Sequence, residues 1–127
     1  MTENEIATII VDTAFHIHSD IGPGLFETVY ERIMEVELSK RGLAVNRQKA
    51  IPIVYGGVHF GAGFRCDPLV GDKVIVEVKS IEGIHPVHKK QVLTYLKFAD
   101  KRLGLLINFN VALIKDGITR LVNRLDE

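Results

Sequence analysis

The sequence has little cysteine and no excess of charge. Cys66 stands alone, which excludes an internal disulfide and a cysteine-rich zinc module and fits a reducing compartment. Sixteen Lys and Arg residues balance sixteen Asp and Glu residues. Because the chain has no net charge, it has no general attraction to nucleic acid or to an anionic membrane. Any binding of a polyanion must therefore come from a local patch.

Long hydrophobic runs are also missing. No apolar stretch approaches the roughly 18 residues that a membrane span needs. The N-terminal stretch "MTENEIATIIVDTAFHIHSD" has acids where a secretory signal has bases. We therefore expect a soluble, cytoplasmic protein with no membrane partner. A chain of 127 residues that is 46% hydrophobic has the size and composition of a single domain, here residues 1–127.

Hydrophobic periodicity predicts two helices in the first third of the chain. The first covers residues 4–18, with Thr2 or Asn4 as its cap. The segment "DIGPG" then interrupts the pattern, and a second helix is predicted from about Leu25 to Lys40, with Gly42 just beyond its end. The apolar residues predicted to share one face of the second helix are Phe26, Val29, Ile33 and Val36.

The pattern then changes to short β-type runs. Runs "AIPIVY", "VHFGAGFRCDPLV" and "KVIVEVKS", separated by turns at Gly56-Gly57 and Gly71-Asp72, predict an antiparallel meander. Pro86 suits the first turn of a third helix that continues to about Ala99. "RLGLLINF" then predicts a buried strand, and a closing hairpin is predicted around Asp116-Gly117. The order αα-βββ-α-ββ indicates an α+β (α/β) fold with a mixed central sheet flanked by helices.

Two charged residues interrupt the apolar pattern of the strand "KVIVEVKS". Glu77 and Lys79 share a face with Ile75, because alternate residues of a strand point the same way. One interpretation is a solvated sheet face that carries a Glu/Lys pair. The other is a site at the end of the strand, because a partly buried acid usually faces a cation or a metal. A further carboxylate, Asp67, lies ten residues upstream, and residue types alone do not decide between these interpretations.

Several motifs in order resemble a known family. "GLFETVY", from Gly24 to Tyr30, is similar to the motif of the GxxExxY family, a branch of the PD-(D/E)XK nuclease superfamily. The resemblance continues through "CDPLV", "VIVEVKS", "QVLTYLK" and "RLGLLINFN", so it covers almost the whole chain. One departure is Pro68 after Asp67, where an aliphatic residue is expected; because proline has no N–H, it could alter that strand edge.

The resemblance implies a metal-dependent phosphodiester hydrolase that acts on DNA. Asp67 and Glu77 would bind Mg²⁺ or Mn²⁺, with Glu27 completing the acidic cluster, although a Glu in the first turn of a helix is also favoured by the helix dipole alone. Lys79 would act as the catalytic base, and Gln91 would support the site from the third helix. The alternative is a non-catalytic module that keeps the nuclease fold and binds nucleic acid or a protein.

Further side chains are candidates for substrate binding, each with a plainer interpretation. Tyr30 and Tyr95 could instead be half-buried aromatic residues, and Arg65 could be an ion-pair partner of Asp67. Lys89 and Lys90 belong to a basic concentration that could follow a nucleic-acid backbone or could be a solvated helix face. A homodimer is left open by the sequence.

Overall fold

A computed structural model describes residues 1–47, 49–66 and 68–126, and for residues 62 and 64–66 it describes the backbone alone. Its elements, in chain order, are α1 (Glu3–Ile21), α2 (Glu27–Lys40), β1 (Val45–Asn46), β2 (Lys49–Tyr55), β3 (Val58–Cys66), β4 (Leu69–Val70), β5 (Val74–Lys79), α3 (Pro86–Ala99), β6 (Leu103–Asn108), a 3₁₀ turn (Ile114–Gly117) and β7 (Ile118–Val122). No helix in this part of the chain combines the length and hydropathy needed to cross a bilayer.

Both ends of α1 follow from local chemistry. The Thr2 hydroxyl accepts a hydrogen bond from the Glu5 N–H at 3.2 Å, and the Glu5 carboxylate accepts one from the Thr2 N–H at 3.0 Å. This reciprocal bonding satisfies two backbone donors that the helix leaves unpaired. The bond from the Thr2 backbone also lowers the pKa of Glu5. The helix ends at Gly22, whose φ of +83° favours glycine. The prediction of this helix is confirmed, and it is three residues longer at its C-terminal end.

The central sheet is mixed. Its five strands lie in the order β1-β4-β5-β6-β7, with β5 and β6 parallel and the other pairs antiparallel. The parallel pair requires a crossover connection, and α3 supplies it. The strand β6 is buried along its whole length, as its continuous apolar run predicts. The predicted fold class, a mixed sheet flanked by helices, is confirmed.

The helices cover the two faces of the sheet unequally. On one face, α1 and α2 pack against alternate residues of β5 and β6, including Val76 and Leu105. On the other, α3 packs through Val92 and Leu96 against Ile75 and Leu106. We call these the α1/α2 face and the α3 face. Glu77 and Lys79 alternate with Val76 and Val78 along β5, so they lie on the α3 face.

The predicted meander is wrong in one respect. Strands β2 and β3 do form a hairpin around Gly56-Gly57, but they make a separate two-stranded sheet. Short strands β1 and β4, of which β1 was not predicted, provide the sheet edge instead. The hairpin is attached to the domain mainly through Ile51, which is buried among the residues of the α3 face.

The predicted inner face of α2 is wrong at Phe26, Val29 and Val36, whereas Ile33 does pack against the cluster of the α1/α2 face. The helix buries Tyr30, Met34 and Leu38, which recur every four residues, whereas Phe26 is 83% exposed and Val36 is also exposed. Both sets fit a helical repeat, and tertiary packing selects the first. The closing hairpin differs as well, because a 3₁₀ turn rather than a strand precedes β7.

Candidate active site

Glu77 and Lys79 lie side by side at the carboxyl end of β5. Their side chains form an ion pair, with 3.4 Å between Lys79 Nζ and Glu77 Oε1. The Lys79 side chain is 19% exposed and the Glu77 side chain 24% exposed. The pair is therefore neither on an open sheet face nor fully buried. A carboxylate and an ammonium at this depth keep contact with solvent while losing much of their hydration, which strengthens their interaction with any charged ligand.

The N-terminus of α2 reaches the same end of β5. The Ser80 hydroxyl, one residue beyond the strand, donates a hydrogen bond of 2.6 Å to the Leu25 carbonyl. Glu27 follows two residues later as the first residue of α2, and it is half-buried. A carboxylate in this position is stabilised by the positive end of the helix dipole. The contact thus positions a second acidic side chain near the end of the strand that carries Glu77.

Tyr30 has a structural position. Its side chain is fully buried, and its ring stacks on Phe109 with 4.4 Å between the ring centroids. Its hydroxyl donates to the Gly22 carbonyl at 2.6 Å and accepts from the Leu25 N–H at 3.2 Å. These bonds close the loop that leads into α2, in which Gly24 has a φ of +106°. Gly24 and Tyr30 therefore help to set where α2 begins, with Glu27 as its first residue.

A buried polar side chain that was not predicted from the sequence lies at the end of β6, the strand next to β5. Asn108, the last residue of β6, lies beside Lys79 in the parallel register and is 2% exposed. Its Oδ1 accepts from the Ile81 N–H at 3.1 Å, and its Nδ2 donates to the Ile81 carbonyl at 3.0 Å. Its Oδ1 also accepts from the Asn110 N–H at 3.2 Å. Asn108 therefore fixes the chain that leaves β5 immediately after Lys79 and Ser80.

The polar residues of α3 differ from one another in their exposure to solvent. Tyr95 is half-buried and packs against the cluster of the α3 face, as the plainer interpretation of a helical tyrosine predicts. Gln91, Lys89 and Lys90 are exposed on the helix that covers the sheet face carrying Glu77. They are thus accessible to a ligand at that side of the domain.

Asp67 and the Arg65 side chain lie outside the described residues. The chain is described again from Pro68, which is buried and whose carbonyl accepts from the Val76 N–H at 3.1 Å. The missing N–H of this proline does not prevent pairing, because the bond to β5 uses its carbonyl. Leu69 and Val70 continue the antiparallel pairing with Ile75 and Val74.

Carboxylates are the metal-ligand type that the site offers. Glu77 and Glu27 have the hard oxygen atoms that Mg²⁺ and Mn²⁺ take as ligands. Among the residues that the structure describes, no three or more His, Cys, Asp and Glu residues are grouped closely enough to hold a metal ion. The donor chemistry therefore fits a divalent cation, but the described residues do not by themselves form a complete ligand set.

A groove of about 780 Å³ lies elsewhere, on the α1/α2 face between α1 and the β6–β7 edge. Val11, Phe15 and Ile118 give it an apolar lining, with Asp12 and Arg120 also bordering it. It lies on the opposite side of the sheet from Glu77 and Lys79. The groove is therefore not part of the candidate active site.

Comparison with protein families relates the chain to one superfamily. The family described as the PD-(D/E)XK nuclease superfamily matches residues 4–121. Neither the curated proteins nor the solved structures contain a match to the chain. The matched segment includes α2, β5, α3 and β6, the elements that carry or support the acidic pair and its lysine. The chain belongs to the PD-(D/E)XK nuclease superfamily.

Proposed function

We propose that the protein is a metal-dependent phosphodiester hydrolase that cleaves DNA, of the GxxExxY type, with its site at the carboxyl end of β5. The observation that carries the proposal is the partly enclosed Glu77–Lys79 pair, 3.4 Å apart, at a strand end that also meets the N-terminus of α2. A solvated sheet face would leave both side chains open to water. Partial enclosure next to the start of α2 instead supports a site that binds a cation and a phosphate.

In this proposal Glu77 and Asp67 bind the metal, and Glu27 completes the acidic cluster from α2. Asp67 is the residue before Pro68, whose carbonyl bonds to β5 one residue before Glu77. That connection supports a carboxylate from each of the two neighbouring strands at one position. When bound, Mg²⁺ or Mn²⁺ neutralises phosphate charge and makes a bound water easier to deprotonate.

Lys79 is proposed to act on the water and the phosphate. A charged ammonium has no lone pair, so as the catalytic base Lys79 must first release a proton, after which its Nζ can take one from the attacking water. In its charged form, the same group offsets negative charge on the phosphate. Its position is held from the backbone, because the Lys79 carbonyl accepts from the Phe109 N–H at 2.9 Å.

Substrate contacts are proposed on α3 and on the strand before Asp67. Gln91 would hydrogen-bond near the reacting phosphate, and Lys89 and Lys90, both exposed, would contact flanking phosphates. Arg65 would contribute a further phosphate contact. Tyr95 would act through its half-buried ring. Tyr30 is not included, because its buried hydroxyl is already bonded to Gly22 and Leu25.

Cleavage assays test the proposal directly. Purified protein is incubated with single-stranded, duplex and branched DNA and with RNA, in Mg²⁺ or Mn²⁺ and in chelator. We expect metal-dependent cleavage of at least one DNA substrate, and we expect Lys79→Ala to reduce it about 100-fold or more, the range in which positioned proton transfer contributes.

Lys73→Ala provides the matched control. Lys73 precedes β5 at the end opposite Lys79 and contacts the Met1 carbonyl, so its loss should leave cleavage unchanged. Equal cleavage by wild type and Lys79→Ala would contradict the assignment and indicate a contaminating nuclease. Binding of nucleic acid without cleavage in any metal would favour a non-catalytic module on the nuclease fold.

A further inference from the structure

The β2–β3 hairpin has an exposed apolar outer half. Near its base, Ile51 is buried among the residues of the α3 face. Around its turn, four large hydrophobic side chains are between 45% and 75% exposed. These are Val54, Tyr55, Val58 and Phe60. The largest exposed apolar patch of a soluble protein often takes part in binding. The outer half of the hairpin therefore has the character of a contact surface.

Three of these side chains extend one apolar face of the hairpin. Tyr55 and Val58 pair directly across the turn, so they share a face, and Phe60 follows two residues after Val58. Ile51, Ile53 and Tyr55 are spaced two residues apart along β2, so Ile51 and Ile53 lie on this face as well. The face thus begins in the core at Ile51 and continues beyond it into solvent. We call the exposed part, Tyr55, Val58 and Phe60, the hairpin face.

The charge of the hairpin distinguishes between kinds of partner. Residues 50–64, "AIPIVYGGVHFGAGF", contain no Asp, Glu, Lys or Arg in a chain that is 25% charged. Nucleic-acid interfaces are strongly positive, because the protein must neutralise phosphates. The centres of protein interfaces are instead depleted of charge and rich in aromatic residues. The outer part of the hairpin therefore fits a protein partner, whereas the basic residues Lys49 and Arg65 lie at its base.

We propose that this partner is a second copy of the chain and that the two hairpin faces pack on each other in a two-fold dimer. An uncharged face can meet its own copy without repulsion between like charges, and a two-fold contact closes without further growth. The two-stranded hairpin also stands apart from the central sheet. Such a ribbon is marginally stable alone and gains from a second ribbon that covers its apolar face.

The contact area sets the expected strength. Tyr55 and Phe60 can each bury about 150–250 Å² at most, so each hairpin offers a few hundred Å². This is less than the roughly 800 Å² per partner of a standard stable interface. The dimer should therefore be reversible in the micromolar range, with monomer and dimer both observable by dilution.

Paired charge substitutions at Val58 test the dimer. Sedimentation velocity of the full chain, from low to high micromolar concentration, should show a monomer–dimer equilibrium. Val58→Lys and Val58→Glu should each raise the dissociation constant at least tenfold, because like charges would face each other across the two-fold axis. An equimolar mixture of the two variants should restore the dimer. This restoration cannot come from misfolded protein, so it separates a lost interface from a lost fold.

Phe15→Lys is the matched control. Phe15 is also an exposed aromatic residue, but it borders the groove beside α1 on the other face of the sheet. This variant should dimerise like wild type. A monomeric wild type at high micromolar concentration would overturn the proposal. Dissociation by Phe15→Lys but not by the Val58 variants would also overturn it, as would Val58 variants that keep the dimer and lose affinity for nucleic acid.

Discussion

The two faces of the central sheet are built for different purposes. Among the described residues, eighteen buried hydrophobic side chains form the cluster of the α1/α2 face, against six in the cluster of the α3 face. The difference does not come from the strands alone, because β5 and β6 alternate residues to both sides. It arises mainly because two helices pack on one face and a single helix packs on the other. Glu77 and Lys79 add to it, because they occupy positions on the α3 face where a stability-driven sequence would have hydrophobic residues.

This asymmetry concerns where the hydrophobic side chains are buried. The α1/α2 face buries most of the apolar surface, so it supplies most of the free energy of folding. The α3 face can therefore tolerate a partly desolvated acid–lysine pair and a hairpin that projects from the core. Substitutions on the two faces should accordingly differ in kind: those on the first should change stability, and those on the second should change activity and binding.

Glu77→Gln should show the largest contrast between its effect on activity and its effect on stability. Removing one carboxylate keeps the side-chain shape but deletes a proposed metal ligand, so cleavage should fall about 100-fold or more, beyond the loss seen for outer-shell partners of a metal. In chelator, the melting temperature should stay level or rise, because neutralising one of several neighbouring acids relieves their repulsion. Cleavage rates and thermal melts of the same preparations measure both effects.

Added Mn²⁺ sharpens this comparison. A ligand bound only by the folded state adds about 2.7 kcal/mol at one hundred times its dissociation constant, so wild type should melt higher with rising Mn²⁺. Glu77→Gln should respond little. A shift of equal size in both proteins would mean that the ion binds elsewhere. If Glu77 only pairs with Lys79, its neutralisation should cost at most about 1 kcal/mol and Mn²⁺ should change neither melt.

Leucine truncations compare the packing of the two faces. Leu38 in α2 and Leu96 in α3 are both fully buried, so Leu→Ala at either site should cost about 2–5 kcal/mol, measured by urea unfolding. Leu38→Ala should lie near the upper end, because its larger cluster leaves less room to relax. Leu96→Ala should cost less but lower the cleavage rate of folded protein, because α3 covers the face that carries Glu77. A larger loss of activity for Leu38→Ala would contradict the division between faces.

Much of the fold follows from periodicity and local signals. Helix α3 begins at Pro86 as predicted, and the apolar run of β6 is buried throughout. The inner face of α2 could not be predicted, because the stripe through Val29 and the stripe through Tyr30 both repeat at helical spacing. The stack of Tyr30 on Phe109, distant in sequence, selects the second. The separation of the β2–β3 hairpin from the central sheet likewise depends on long-range pairing.

The sequence drew attention to the two charged residues of β5 but not to the polar residues that hold the neighbouring segments. Glu77 and Lys79 can be recognised from the sequence, because burying a charged side chain in an apolar strand costs free energy unless the charge has a partner. Ser80 and Asn108 were missed, because single polar residues at strand ends are common and their partners lie in other segments. The one available signal for Asn108 is an amide directly after a run of apolar residues in β6. That amide is buried, and both its Oδ1 and its Nδ2 make hydrogen bonds.

Asn108 is buried at the end of β6, where it contacts the loop that follows β5. It ends the strand between the clusters, and its side chain bonds to both the N–H and the carbonyl of Ile81. Asn110 adds a longer bond of 3.3 Å from its Nδ2 to the same carbonyl. The loop after Ser80 is thus held by a buried amide and, more weakly, by a partly exposed one.

Asn108→Ala should therefore reduce both the stability of the protein and its cleavage rate, each by less than the largest effects above. The substitution leaves the Ile81 N–H and carbonyl without their buried partner, which should cost about 1–3 kcal/mol of stability. Because Lys79 lies two residues before Ile81, loosening this loop should also reduce cleavage by folded protein, with little change in the binding of nucleic acid.

Asn110→Ala is the matched control: it removes an amide from the same carbonyl but leaves the Asn108 bonds in place, so it should cost less than about 1 kcal/mol and preserve the rate. Urea unfolding and cleavage below the melting transition measure the two variants side by side. If Asn108→Ala lowered stability while cleavage by the folded fraction stayed at the wild-type rate, the loop would belong to the scaffold alone, and positioning of Lys79 would have to come from the Phe109 backbone contact.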